Sequence, residues 1–200
     1  MDRDVHRIRP ASVGEMTILT EAMPERLRLM VTLASWCALR FGETVELRRG
    51  DIDLGDGVIR IRRAAVRTHG GTYDLTTPKS DAGVRDVHIP PHIIPQIEDS
   101  LTKFVDTKRD SLVFPSQTGS RVQPSTVQRH SYKARNSAGC NDLCWHHLRH
   151  SRSVLAAATG ATLAERMARL GHSTPQAAMR YQHAAQGRDR EIAALLSKLA

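Results

Sequence analysis

The sequence predicts an α+β fold that is mostly α-helical, with one small antiparallel sheet in its N-terminal third. Three observations predict it. Alternating, β-branched segments occur only between residues 58 and 89. Beyond Pro90-Pro91 the pattern has helical period almost throughout, and Gly139, Gly160, Gly171 and Gly187 punctuate that half as helix stops. With 200 residues the chain can bury a core without disulfide or metal staples.

Residues 1–11 are charged, contain Pro10 and lack periodicity, which reads as a tail or a linker remnant. Ser12 to Glu15 spells a capping box, so a helix starts there and stops near Pro24. From Glu25 to Leu39 the chain is apolar on most faces after its first turn, as a buried central helix requires. A short helix over Gly42 to Leu47 follows. Asp51, Asp53 and Asp56 resemble a calcium loop, but Gly55 takes a ligand position and Arg62 stands where the loop needs its bidentate glutamate. An acidic turn leading into a strand is the better reading.

Val58 to Val66 predicts the first strand, Thr72 to Thr77 the second and Val84 to Ile89 the third. The turn Pro78 to Gly83 suits a hairpin between the last two, with Lys79 at its tip. Helices are expected over 92–106, 124–137, 142–158, 161–169, 175–184 and 188–199.

Composition narrows the function. Hydrophobic residues make up 40% and charged residues 25%, which sets disorder aside. No apolar run approaches the length of a membrane span, and no secretory leader opens the chain, so a cytoplasmic protein without membrane association is expected. A net charge of +8 fits a polyanionic partner, although solubility alone also explains such a surplus. Only eight residues are aromatic, too few for many base-stacking platforms, which favours a reader of duplex phosphates over a single-strand binder. The three cysteines make no disulfide framework. Cys140, Cys144, His146 and His147 cluster, but their spacing fits no common zinc pattern, so no metal is expected.

Several basic residues stand out. Arg40 ends an apolar helix and needs an anion, either Glu43 alone as an ion-pair partner or a phosphate with Glu43 behind it. His146 and Arg149 are three apart and share a helix face. His172 sits in a tight corner between a helix stop and a helix start, and Tyr181 follows nine residues later on the next helix. Each has a bland alternative: a solvated turn for Lys79, a basic surface helix for His146 and Arg149, a cap for His172, a core phenol for Tyr181.

Taken in order, Arg40 in ALRFGE, Lys79 in a turn between strands, HHLRH at His146 to His150, Gly171-His172, then Tyr181, resemble the catalytic domain of the tyrosine recombinases, the phage integrase family. The likeness runs from about Ser12 and includes Arg48 to Asp53 and Phe114-Pro115. It implies the catalytic-core fold of that family over 12–200, with Arg40, Lys79, His146, Arg149 and His172 as catalytic basic residues and Tyr181 as nucleophile. It also implies that Glu43 supports Arg40 and that His150 supports the site from behind. His147 stands where the family often has an acidic or polar residue, and the stretch from Arg49 to Lys79 is long for it.

The resemblance implies a site-specific DNA recombinase that cuts and rejoins duplex DNA at recombination or attachment sites through a 3′-phosphotyrosyl link, with no metal, ATP or other cofactor. It further implies a tetramer on DNA, accessory excision or host DNA-bending proteins as partners, and association with the nucleoid. The family normally adds an N-terminal helical domain that closes a clamp around DNA, so the chain is expected to be the catalytic domain without that clamp. A non-catalytic prophage-derived DNA-binding fragment, or strand relaxation in the manner of a topoisomerase, are the alternatives.

Overall fold

The computed structural model describes residues 10–68, 71–76, 83–137, 139–141, 143 and 145–171. Helix α1, Val13–Ala22, begins with the expected capping box: Ser12 Oγ accepts the Glu15 N–H at 3.2 Å, and the Glu15 carboxylate accepts the Ser12 N–H at 2.8 Å. Helix α2, Glu25–Trp36, is buried continuously from Leu29 to Ser35. It packs against α1, against α4 (Ile94–Phe104) and against α6 (Trp145–Ala158), and its Met30, Leu33 and Ala34 are fully enclosed.

α2 ends three residues before the point its apolar run predicts. Cys37, Ala38 and Leu39 remain fully buried but leave the helix, and Ala38 takes a left-handed φ of 56°. The end is a left-handed cap: with Ala38 in that conformation the Leu39 N–H folds back onto the Leu33 carbonyl at 3.4 Å, and the Ala38 carbonyl accepts from a buried arginine far along the chain. Helix α3, Phe41–Glu46, then starts directly at Arg40. It runs against strand β3 (Ala64–Arg67) so closely that a Cβ on Gly42 would lie 2.5 Å from the Ala65 carbonyl oxygen. Only glycine fits that approach.

The strands depart from the predicted pairing. Val58 to Val66 is not one strand but two, β2 (Val58–Ile61) and β3, broken at Arg62-Arg63. Arg62 turns its guanidinium back onto the Ile61 and Arg85 carbonyls, and Arg63 reaches Asp51 at 2.6 Å. β2 pairs antiparallel with β1 (Ile52–Asp53) and with β5 (Arg85–His88), placing Ile59 opposite Val87. β3 pairs instead with β4 (Tyr73–Thr76), Ala65 opposite Leu75. The sheet is therefore a three-stranded piece and a two-stranded piece, and β4 and β5 do not form the expected hairpin pair. Alternation shows which residues face inward, but it does not show which strand lies alongside. The acidic turn is internally neutralised: Asp51 binds Arg63, while Asp53 and Asp56 bind Arg60.

The helical half follows expectation closely, with α4, α5 (Pro124–Ser137), α6 and α7 (Leu163–Leu170). α7 opens with a second capping box, Thr162 and Glu165, and closes on Gly171 in the left-handed conformation at φ 63°. It lies on α6 and on β5. Helices expected over 175–184 and 188–199 lie outside the described residues. Among the described residues no helix is long and apolar enough to cross a membrane.

Candidate active site

The site begins where the central helix gives out. Arg40 is the N-cap of α3, and Glu43, at the third helical position, reaches back to it. Glu43 Oε2 accepts the Arg40 backbone N–H at 2.8 Å, and Oε1 accepts from Arg40 Nη1 at 2.7 Å. The pairing that sequence reasoning offered for Arg40 and Glu43 is present in this geometry. Its asymmetry is informative: the Arg40 side chain is 42% exposed and the Glu43 side chain 1%. A buried carboxylate thus holds a guanidinium at the surface.

Arg40 makes a second contact far along the chain, donating from Nη2 to the Gly171 carbonyl at 2.7 Å. Arg149, on α6, is 7% exposed and donates from Nη2 to the neighbouring Leu170 carbonyl and from Nη1 to the Ala38 carbonyl. The final carbonyls of a helix have no partner within it and form the negative end of its dipole. At α7 that end is capped by arginines, and two of the expected catalytic residues converge on two consecutive carbonyls.

A third arginine completes the corner. Arg85, first residue of β5, donates from Nε to the Arg169 carbonyl at 3.1 Å and grips both Glu43 oxygens at 3.0 Å. Sequence reasoning missed it. The available signal was its place in Arg85–His88, where Arg85 and Val87 fall on the buried face of an alternating strand. Burial alone would raise the Glu43 carboxyl, but Arg85 and Arg40 outweigh it and hold the group at about 2, below its ordinary 4.5. Glu43 is therefore ionised throughout the physiological range.

α6 carries His146 one turn before Arg149, and His150 directly after it. Its start is pinned to the start of α3 by an edge-to-face contact between Trp145 and Phe41, 5.7 Å between ring centroids. That contact joins the residue before His146 to the residue after Arg40. Lys79, His172 and Tyr181 lie outside the described residues, although Gly171, which precedes His172, sits at the centre of the corner. The described part is a hydrogen-bonded, cationic corner in which one guanidinium is half-exposed, an arrangement suited to holding an oxyanion.

Comparison with known proteins adds the following. The model of the phage integrase family matches residues 8–188. A prophage phiRv2 integrase of Mycobacterium tuberculosis strain H37Rv is 60% identical over 200 residues, which is 99% of this chain and 53% of that protein. The integrase of Mycobacterium phage L5 is 37% identical over 205 residues, 100% of this chain and 54% of its own. The tyrosine recombinase XerD of Pseudomonas putida is 27% identical over 175 residues, 87% of this chain and 55% of its own. The chain thus spans about half the length of these relatives. Among solved structures, the XerA recombinase superposes with a TM-score of 0.72 at 23% identity, over 96% of this chain and 64% of that one. A Tn1549 transposon integrase, solved with a circular intermediate DNA, does so with a TM-score of 0.80 at 17% identity, over 100% and 68%. At these identities the structural likeness speaks for the fold.

Proposed function

The chain belongs to the phage integrase family, and from that premise we propose that residues 12–200 are the catalytic domain of a site-specific DNA recombinase that works through a phosphotyrosine intermediate. The observation that carries the reading is the convergence of Arg40 and Arg149 on the consecutive Gly171 and Leu170 carbonyls, with Glu43 locked behind Arg40. Phosphoryl transfer asks a protein chiefly for positioning and for charge stabilisation. Arginines held by fixed partners supply both, and Arg40, half-exposed, is the one placed to meet a phosphate directly.

In this proposal Tyr181 Oη attacks the scissile phosphorus and the bond to the 5′-oxygen breaks. His146 takes the tyrosine proton, and Lys79 gives a proton to the departing 5′-oxygen, so charge does not build up on either. Arg40, Arg149 and His172 bind the non-bridging oxygens, His146 adds a hydrogen bond to them, and His150 supports the site from α6. One phosphodiester is exchanged for one phosphotyrosyl ester, so a second 5′-hydroxyl can reverse the step without ATP. The partners proposed are duplex recombination sites and further copies of the chain in a tetramer, with accessory bending proteins acting on the DNA.

Incubation with a nicked duplex bearing a recombination site from the host of a related prophage tests the reading. A covalent protein-DNA adduct on a denaturing gel, unaffected by chelators and absent from Tyr181→Phe, is expected. Duplex binding without adduct would mark a non-catalytic DNA-binding domain. Relaxation of supercoiled plasmid without exchange would mark a topoisomerase.

A further inference from the structure

Arg85 enters the protein from the buried face of β5, and its side chain is 6% exposed. A guanidinium at that depth is costly unless fixed partners replace water. It has them: Nη1 and Nη2 each donate to one Glu43 oxygen at 3.0 Å, Nη1 also to the Gly83 carbonyl at 3.1 Å, and Nε to the Arg169 carbonyl at 3.1 Å. The same two carboxylate oxygens hold Arg40, one through its side chain and one through its backbone N–H. Glu43 therefore stands between an arginine facing the interior and an arginine facing outward.

We infer that Arg85 is a positioning residue for the cleavage step: it fixes Glu43, and through Glu43 the direction of the Arg40 guanidinium, while tying β5 to the corner at the end of α7. The inference rests on the recombinase reading. Its physical content is geometric. Without Arg85, Glu43 is buried with a single cationic partner that is itself half-exposed, and only the Arg40 backbone N–H and the Arg40 contact to the Gly171 carbonyl remain to hold the pair in place. The Arg85 contact to the Gly83 carbonyl fixes the backbone two residues before it. Lysine cannot replace this arrangement, because one ammonium presents its donors from a single point and cannot span two carboxylate oxygens and two carbonyls.

The test compares the wild-type chain with Arg85→Lys and Arg85→Gln in single-turnover adduct formation on the nicked duplex across a pH series, alongside duplex affinity and thermal melting. Arg85→Lys is expected to fold and to keep its duplex affinity, while adduct formation slows by roughly 10²-fold, the scale on which a misplacement of about 1 Å acts. In Arg85→Gln the rate is expected to fall further on the acid side, because Glu43 then takes up a proton at higher pH than in the wild type. Arg60→Ala, which removes a surface ion pair to Asp53, is the control and should cleave as the wild type does. Should Arg85→Gln fail to fold, Arg85→Lys decides. An Arg85→Lys chain that is less stable but cleaves at the wild-type rate with the wild-type pH profile overturns the inference, leaving Arg85 a structural residue. A wild-type chain that forms no adduct overturns the recombinase reading and this inference together, and the wild-type lane alone identifies that outcome.

Discussion

Glu43 sets how the site responds to acid. Its carboxyl is held at about 2 against an ordinary 4.5, so the folded state binds this proton less readily than the unfolded chain does. The stability it contributes is present above about pH 4.5 and is lost as the pH falls toward 2. Glu43→Gln should flatten the acid limb of the unfolding curve between those values, read by denaturant titration at successive pH; an unchanged limb would show that other carboxylates govern it. Arg149 makes a different prediction. Arg149→Ala strips the Ala38 and Leu170 carbonyls of a buried donor, costing about 1–3 kcal/mol for each group left unsatisfied. Cleavage should vanish while most duplex affinity survives in the folded fraction. Collapse of binding would instead make Arg149 a general DNA contact.

At the scale of elements, the two ends of α7 separate stability from geometry. Thr162 caps its start, and Thr162→Ala should cost about 1 kcal/mol by denaturant melts with cleavage retained. Gly171 ends it at φ 63°, where any other residue costs about 1–2 kcal/mol. Gly171→Ala should therefore lose similar stability but far more cleavage, because Arg40 binds its carbonyl and His172 follows it. Equal cleavage in the two variants would remove the corner from the mechanism. Elements differ in how well the sequence discloses them. The helix start at Ser12 was legible because its capping residues, Ser12 and Glu15, lie within three positions of each other. The end of α2 was not, since Cys37 to Leu39 are apolar and buried whether helical or not, and the arginine that binds the Ala38 carbonyl lies 111 positions later. Arg40 and Glu43 were legible as neighbours, whereas Arg85, 42 positions from Glu43, became visible only once β5 was placed beside the site.

For the whole molecule, a part of the positive charge is committed to internal ion pairs. Arg48, Arg63 and Arg121 surround the buried Glu46, Arg63 also meets Asp51, and Arg60 and Arg62 pair with Asp53 and Asp86. The net charge of +8 then rests largely on basic groups other than these, and in the recombinase proposal duplex phosphates are what it would meet. Duplex affinity should fall by about 10³-fold between roughly 50 and 200 mM salt if about six phosphates are neutralised. A flat salt response would detach the charge from DNA binding. The family likeness spans nearly the full chain, while the strand pairing that splits the sheet at Arg62-Arg63 was invisible to alternation because both halves keep the same inward face. In the proposed function this corner of arginines serves a tyrosine that becomes covalently joined to DNA. The most direct measurement is mass spectrometry of the nuclease-trimmed adduct after proteolysis. A single modified peptide is expected, joined through the Tyr181 oxygen to a 3′-phosphate. A link at any other residue, a link to a 5′-phosphate, or an adduct that persists in Tyr181→Phe would contradict it.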